Sequence, residues 1–108
     1  MGYESAGAVF GALADPTRRA IFERLLASGE APVHDLQAGL GVSQPAVSKH
    51  LGVLKRAGLV SGRPSGRTVR YRPEPRALAP LVNWLEHYAH FWEARLDDLE
   101  SALERMEE

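Results

Sequence analysis

Between Ser43 and His50 the chain sets a hydroxyl, an amide, a proline, two small apolar side chains, a second hydroxyl, an ammonium group and an imidazole in direct succession. Amides such as Gln44 and short polar groups such as Ser48 can meet base edges in the major groove of DNA, where donor and acceptor patterns distinguish all four base pairs. Lys49 suits either a guanine edge or a phosphate. Ser43, Gln44, Pro45, Ala46, Ser48, Lys49 and His50 are therefore candidate DNA-contacting residues. The plainer alternative for the same run is an ordinary solvent-facing surface. Arg63 and Arg67 flank the turn-forming Pro64-Ser65-Gly66, a placement suited to phosphates or to a narrow minor groove. Arg70 and Arg72 lie farther back, where solvating a hairpin is an equal alternative. Arg18 and Arg19 sit just inside a helix start, against the sense of the helix dipole. For them an ion pair within the protein is expected rather than a phosphate.

Other chemistries have less support. His87 and His90 share one helix face, but a metal site normally needs three or four ligands, so they are weak candidates and no metal is expected. Trp84, Tyr88, Phe91 and Trp92 are four of eight aromatic residues and fall within nine positions. Aromatic side chains at helical spacing usually form a core. They are read here as part of a dimer core rather than as the pocket of a small-molecule effector, for which nothing else speaks. With no cysteine there is no thiolate nucleophile, thiolate metal site or disulfide framework. No phosphate-cradling glycine loop, His-Glu-x-x-His or nucleophile elbow is present either. No enzyme and no cofactor are expected.

Charge sharpens the first reading. Residues 1–42 carry three basic and five acidic side chains, and residues 73–108 carry three and nine. The thirty residues between them hold Lys49, Lys55, Arg56, Arg63, Arg67, Arg70 and Arg72 and no acid. The net charge of −1 thus hides a +7 tract, an electrostatic footprint for a polyanion.

The elements that must position these groups follow from periodicity and punctuation. At 108 residues, 44 % hydrophobic and 25 % charged, the chain reads as one globular domain spanning 1–108 rather than a disordered or multidomain protein. No apolar run could span a bilayer, and the start lacks a basic, then apolar, signal stretch. A cytoplasmic protein with no membrane partner is the expectation. Ala6, Val9, Phe10 and Leu13 predict a helix over 5–14. Asp15-Pro16 caps and opens a second, buried through Ile21, Phe22, Leu25 and Leu26 and ended at Ser28-Gly29. Pro32 opens a short helix through Leu36 and Leu40, Gly41 stops it, and Ser43 caps the next. With Leu40, Val42, Val47 and Leu51 inward, residues 33–57 have helix-turn-helix spacing. Residues 59–72 then alternate, Val69 and Tyr71 against Thr68, Arg70 and Arg72, as a β-hairpin wing with an apolar and an arginine face. Pro73, Pro75 and Pro80 set off a last helix over 75–107. Leu78, Leu81, Leu85, Tyr88, Trp92, Leu96, Leu99, Leu103 and Met106 make its stripe, too long to bury against so small a body. A period near ~3.5 calls for a partner helix, most economically that of a second subunit.

The runs Ala12-Leu13-Ala14-Asp15-Pro16-Thr17-Arg18-Arg19, Ser43-Gln44-Pro45-Ala46-Val47-Ser48-Lys49-His50-Leu51 and Leu54-Lys55-Arg56-Ala57-Gly58-Leu59-Val60, with Gly66-Arg67 and Tyr71-Arg72, resemble the ArsR/SmtB family of bacterial winged-helix repressors. The resemblance covers nearly the whole chain. It implies a mainly α winged helix-turn-helix fold and a homodimeric repressor that binds an inverted-repeat operator on double-stranded DNA. It also implies dimerisation through the N-terminal and long C-terminal helices, with Val9, Phe10, Leu81, Leu85, Tyr88, Trp92, Leu96 and Leu99 at the interface. The family's thiolate site is absent here for want of cysteine. Its site on the last helix is matched only in half: by His87 and His90, with Glu74 and Arg76 at the earlier positions, where arginine stays protonated, or by His90 and Glu93, with Ala77 and Ala79 there. Two alternatives remain: a winged-helix module that holds a protein partner, and a metal sensor with an unorthodox histidine site.

Overall fold

The computed structural model describes residues 2–107, with side-chain surroundings from Ala6 onward. Met1 and Glu108, the ends of the expected domain, lie outside the described residues. The order of elements is α1 (Gly2–Ala14), α2 (Pro16–Ser28), β1 (Ala31–Pro32), α3 (Val33–Gln37), α4 (Gln44–Arg56), β2 (Val60–Ser65), β3 (Thr68–Pro73), a 3-10 turn (Pro75–Leu78), α5 (Ala79–His87) and α6 (Ala89–Glu107). This is a mainly helical winged helix-turn-helix, with a small antiparallel sheet ordered β1-β3-β2.

Local chemistry sets most boundaries. The Asp15 carboxylate accepts from the Arg18 backbone N–H at 2.9 Å and Pro16 takes the first position of α2, where no donor is needed. Beyond that cap, Arg18 and Arg19 correct the expectation of ion pairing. Arg18 Nε donates to the Ala12 carbonyl at 2.6 Å and Arg19 Nη1 to that of Leu13 at 3.1 Å. Both guanidinium groups close the C-terminal end of α1, whose last carbonyls lack partners within the helix and carry the negative end of its dipole. Arg24 does the same for α3, donating to the carbonyls of Leu36 and Ala38.

Ile21, Leu25, Leu36, Val47, Leu51, Leu54 and Leu59 are fully buried and make one core with Val9, Phe22 and Val60. Val9, expected at the subunit interface, belongs to this core. At 2 % exposure it packs inside its own chain, because α1 lies across α2, α4 and α5 and turns that face inward. Phe10, one step round the helix, stays 42 % exposed and meets Trp84 edge to face at 5.4 Å.

Three other expectations change. Gly41 does adopt a positive φ of 71°, but α3 has already ended at Gln37 and Gly39 turns first, with φ 76°. The hairpin turn is Gly66-Arg67 rather than Pro64-Ser65-Gly66, since Ser65 already pairs with Thr68. A positive φ of 64° at Gly66 alone is the type II′ pattern that suits the strand twist. Finally, the long helix over 75–107 is broken. Tyr88 sits at φ −106°, ψ 11°, its N–H bonded to the Leu85 carbonyl, and so separates α5 from α6. Such a bridge-region residue interrupts the ladder without a proline or glycine. No described helix is long and apolar enough to cross a membrane.

Candidate nucleic-acid interface

The roll of α4 is fixed from its buried side. Val47, Leu51 and Leu54 recur at i, i+4 and i+7 and are fully buried, so the opposite face must point outward. Ser43 starts the helix, its hydroxyl accepting from the Ala46 N–H at 3.2 Å. Ser43, Gln44, Pro45, Ser48 and Lys49 are exposed, while Ala46 and His50 are half-buried. The Asp15 carboxyl is held below its ordinary value chiefly by the Arg18 N–H bond, with a smaller contribution from His50. The turn ahead of α4 is drawn tight by Gln37, whose amide donates to the Val42 carbonyl at 3.3 Å.

The other end of α4 aims the wing. The Leu59 N–H reaches the Leu54 carbonyl at 2.9 Å and the Gly58 N–H that of Lys55 at 3.0 Å, with Gly58 at φ 80°. This is a complete Schellman motif, and Leu54 and Leu59 supply its apolar contact. The hairpin register puts Val60, Gly62, Pro64, Val69, Tyr71 and Pro73 on one face and Ser61, Arg63, Ser65, Thr68, Arg70 and Arg72 on the other. Gly62 sits in a crowded place: a Cβ there would stand 3.0 Å from both the Tyr71 ring and the Val69 methyl, and these side chains would have to give by a few tenths of an ångström.

The arginine face is far from bare. Glu30 Oε1 accepts from Arg63 Nη2 at 2.8 Å and from Arg70 Nε at 3.0 Å. Glu74 Oε1 accepts from Arg72 Nε at 3.2 Å and from the Ser61 hydroxyl at 2.8 Å, and these bonds, Ser61 first, lower its pKa. Arg63 thus lies within a strand opposite Arg70, not at the turn. Lys49, Lys55, Arg56 and Arg67 have no ion pair among the described residues, and Arg67 alone stands at the wing tip. Sequence reasoning did not single out Glu30, and it met Glu74 only at an earlier position of the family's last-helix metal site, not as a partner of Arg72. Glu30 is 40 positions from Arg70, and only the pairing of Ala31 with Tyr71 brings them together.

Known proteins show the same organisation. The helix-turn-helix domain family matches residues 13–63. The HTH-type transcriptional regulator Rv2034 of Mycobacterium tuberculosis is 49 % identical over 86 residues, 80 % of this chain and 79 % of that protein. The HTH-type transcriptional repressor SmtB of the same species is 46 % identical over 87 residues, covering 81 % of this chain but only 62 % of SmtB. Among solved structures, an ArsR-like transcriptional regulator from Rhodococcus sp. RHA1 superposes with a TM-score of 0.71 at 33 % identity, covering 92 % of each chain. The chain belongs to the ArsR/SmtB family. As a member, it is a DNA-binding transcriptional regulator and not an enzyme.

The C-terminal arm of this ArsR/SmtB protein, α6 with the end of α5, is built differently from the head that carries α4 and the wing. Leu85, Tyr88, Phe91, Trp92, Leu96, Leu99, Leu103 and Met106 are all exposed, from 38 % at Tyr88 to 81 % at Met106. Leu81, by contrast, is half-buried against the core. His87 lies edge to face on Tyr88 at 4.9 Å, and His90 is fully exposed, 3.8 Å from a Glu93 carboxylate oxygen. No group of three or more potential metal ligands occurs among the described residues.

Proposed function

We propose that the protein is a homodimeric repressor that binds an inverted-repeat operator on double-stranded DNA in the cytoplasm. The two α4 helices enter successive major grooves, roughly 34 Å apart. Gln44 and Ser48 read base edges, and Lys49 takes a guanine or a phosphate. Ser43, Pro45 and Ala46 bring the helix start against the backbone, with His50 behind them. Arg67, with Arg63 along the strand, clamps the flanking phosphates. Phe10, Leu81, Leu85, Tyr88, Trp92, Leu96 and Leu99 join the two subunits.

The observation that carries this reading is the outward face of α4, held in its roll by three fully buried side chains. It stands beside a wing whose tip presents Arg67, without an ion pair among the described residues. Selection from random duplex DNA, followed by binding across a salt series, tests it. The expected result is an enriched inverted repeat, bound by two subunits with a steep salt slope. Weak binding without sequence preference would overturn it and turn the search to protein partners.

A further inference from the structure

The wing arginines have an internal rival for phosphate. Glu30 follows Gly29, the residue that ends α2, and precedes β1, which pairs with β3. That placement sets Glu30 two positions from Pro32, the register partner of Arg70, and a single oxygen, Oε1, takes one N–H from Arg70 and one from Arg63. The two arginines differ in their freedom. Arg70 is 37 % exposed, while Arg63 is 61 % exposed and holds Glu30 through a terminal nitrogen. Surface ion pairs of this kind contribute little to stability. A phosphate oxygen can therefore compete for the Arg63 guanidinium, but the carboxylate left beside it repels that phosphate. Arg72 is a different case. Its acid, Glu74, is two residues away and is also bound by Ser61, so it is locked within the hairpin end.

We infer that Glu30 is an intramolecular counter-ion that mimics phosphate at Arg63, and that it sets how strongly the wing grips the DNA backbone. This rests on the proposed reading of the wing as a phosphate clamp. Because phosphate contacts carry no sequence information, Glu30 restrains binding to every sequence alike. The specificity of the protein is then left to α4.

The test compares Glu30→Gln, Arg63→Ala, their double variant and Arg67→Ala on the selected operator and on random duplex across a salt series. One added phosphate contact steepens the log–log salt slope by about 0.9. Glu30→Gln is expected to steepen it by about that much per subunit. Affinity for both DNAs should rise roughly five- to tenfold per subunit near 0.1 M salt, the counterion-release factor of one phosphate. Adding Arg63→Ala should remove the gain. An unchanged or shallower slope for Glu30→Gln would overturn the proposal, as would a gain that survives loss of Arg63. If Glu30→Gln were not to fold, the single arginine variants decide: Arg63→Ala must cost less slope than Arg67→Ala, and equal losses would overturn the role of Glu30. Failure of the underlying reading looks different, since Arg67→Ala would then leave binding and slope untouched.

Discussion

At single side chains, the division between reading and gripping gives the most direct expectations. Arg67→Ala should weaken binding to operator and random duplex by the same factor and make the salt slope shallower by about one unit per subunit. Gln44→Ala or Ser48→Ala should instead relax preference at particular base pairs, each contact being worth about 1–3 kcal/mol of discrimination. Competition binding with single-base operator variants separates the two. Acid sensitivity also belongs to individual groups. Asp15 and Glu74 both have lowered pKa values, the first through the Arg18 N–H and the second through Ser61 and then Arg72. A carboxylate with a depressed folded value stabilises the fold above its ordinary value, 3.8 for Asp15 and 4.5 for Glu74, and loses that contribution as pH falls through the lowered one. Urea unfolding across that acidic window should show stability falling toward low pH. Asp15→Asn, which keeps an acceptor at the cap but cannot titrate, should flatten part of the fall.

Among the elements, the passage from α4 into the wing is the joint on which aim depends. Gly58→Ala would place a Cβ 3.9 Å from that of Ala77, an ordinary contact, so space is not the obstacle. The obstacle is a φ of 80°, which costs a side-chain-bearing residue roughly 1–2 kcal/mol. Denaturant titration should find that loss, and operator affinity should fall if the hairpin is re-aimed. How much of this was legible in the sequence follows from the range of the signals. Asp15, Pro16, Ser43 and Gly58 act within a turn of their own positions, so cap, start and stop could be read beforehand. So could the inward set of Val47 and Leu51, which one helical period defines. The two-residue β1 contains Pro32 and is too short to show alternation. The break at Tyr88 has no glycine or proline to mark it. The engagement of Arg63, Arg70 and Arg72 depends on acids outside the basic tract, one of them 40 positions from its partner along the chain. A tract that counts as +7 along the chain thus presents Lys49, Lys55, Arg56 and Arg67 as its cations without an ion pair among the described residues.

For the whole molecule, shape decides what else is needed. The radius of gyration is 18.2 Å and the extents are 63 × 35 × 20 Å, against about 13 Å for a compact domain of 100 residues. The excess is α6, 19 residues and therefore roughly 28 Å of helix with no buried residue. Leu96→Glu with Leu99→Glu should leave the body folded, because neither side chain enters its core. The same pair should shift sedimentation from dimer to monomer and weaken operator binding at least tenfold, since two half-sites would no longer be held together. A normal circular-dichroism melt with a monomeric sedimentation coefficient is the expected combination. Retention of the dimer would place the subunit contact elsewhere.

The interruption at Tyr88 makes head and arm two levers on one pivot. Residues added or removed there would leave the packing of α5 on α1 alone. A residue added or removed within the first turn of α6 would turn the arm beyond it by about 100° and advance it by about 1.5 Å, and so change which side of it meets another arm. In a paired molecule, that turn sets the distance and angle between the two reading heads. A single insertion in that first turn is therefore a gear change: the same base-reading face, offered to half-sites of different spacing.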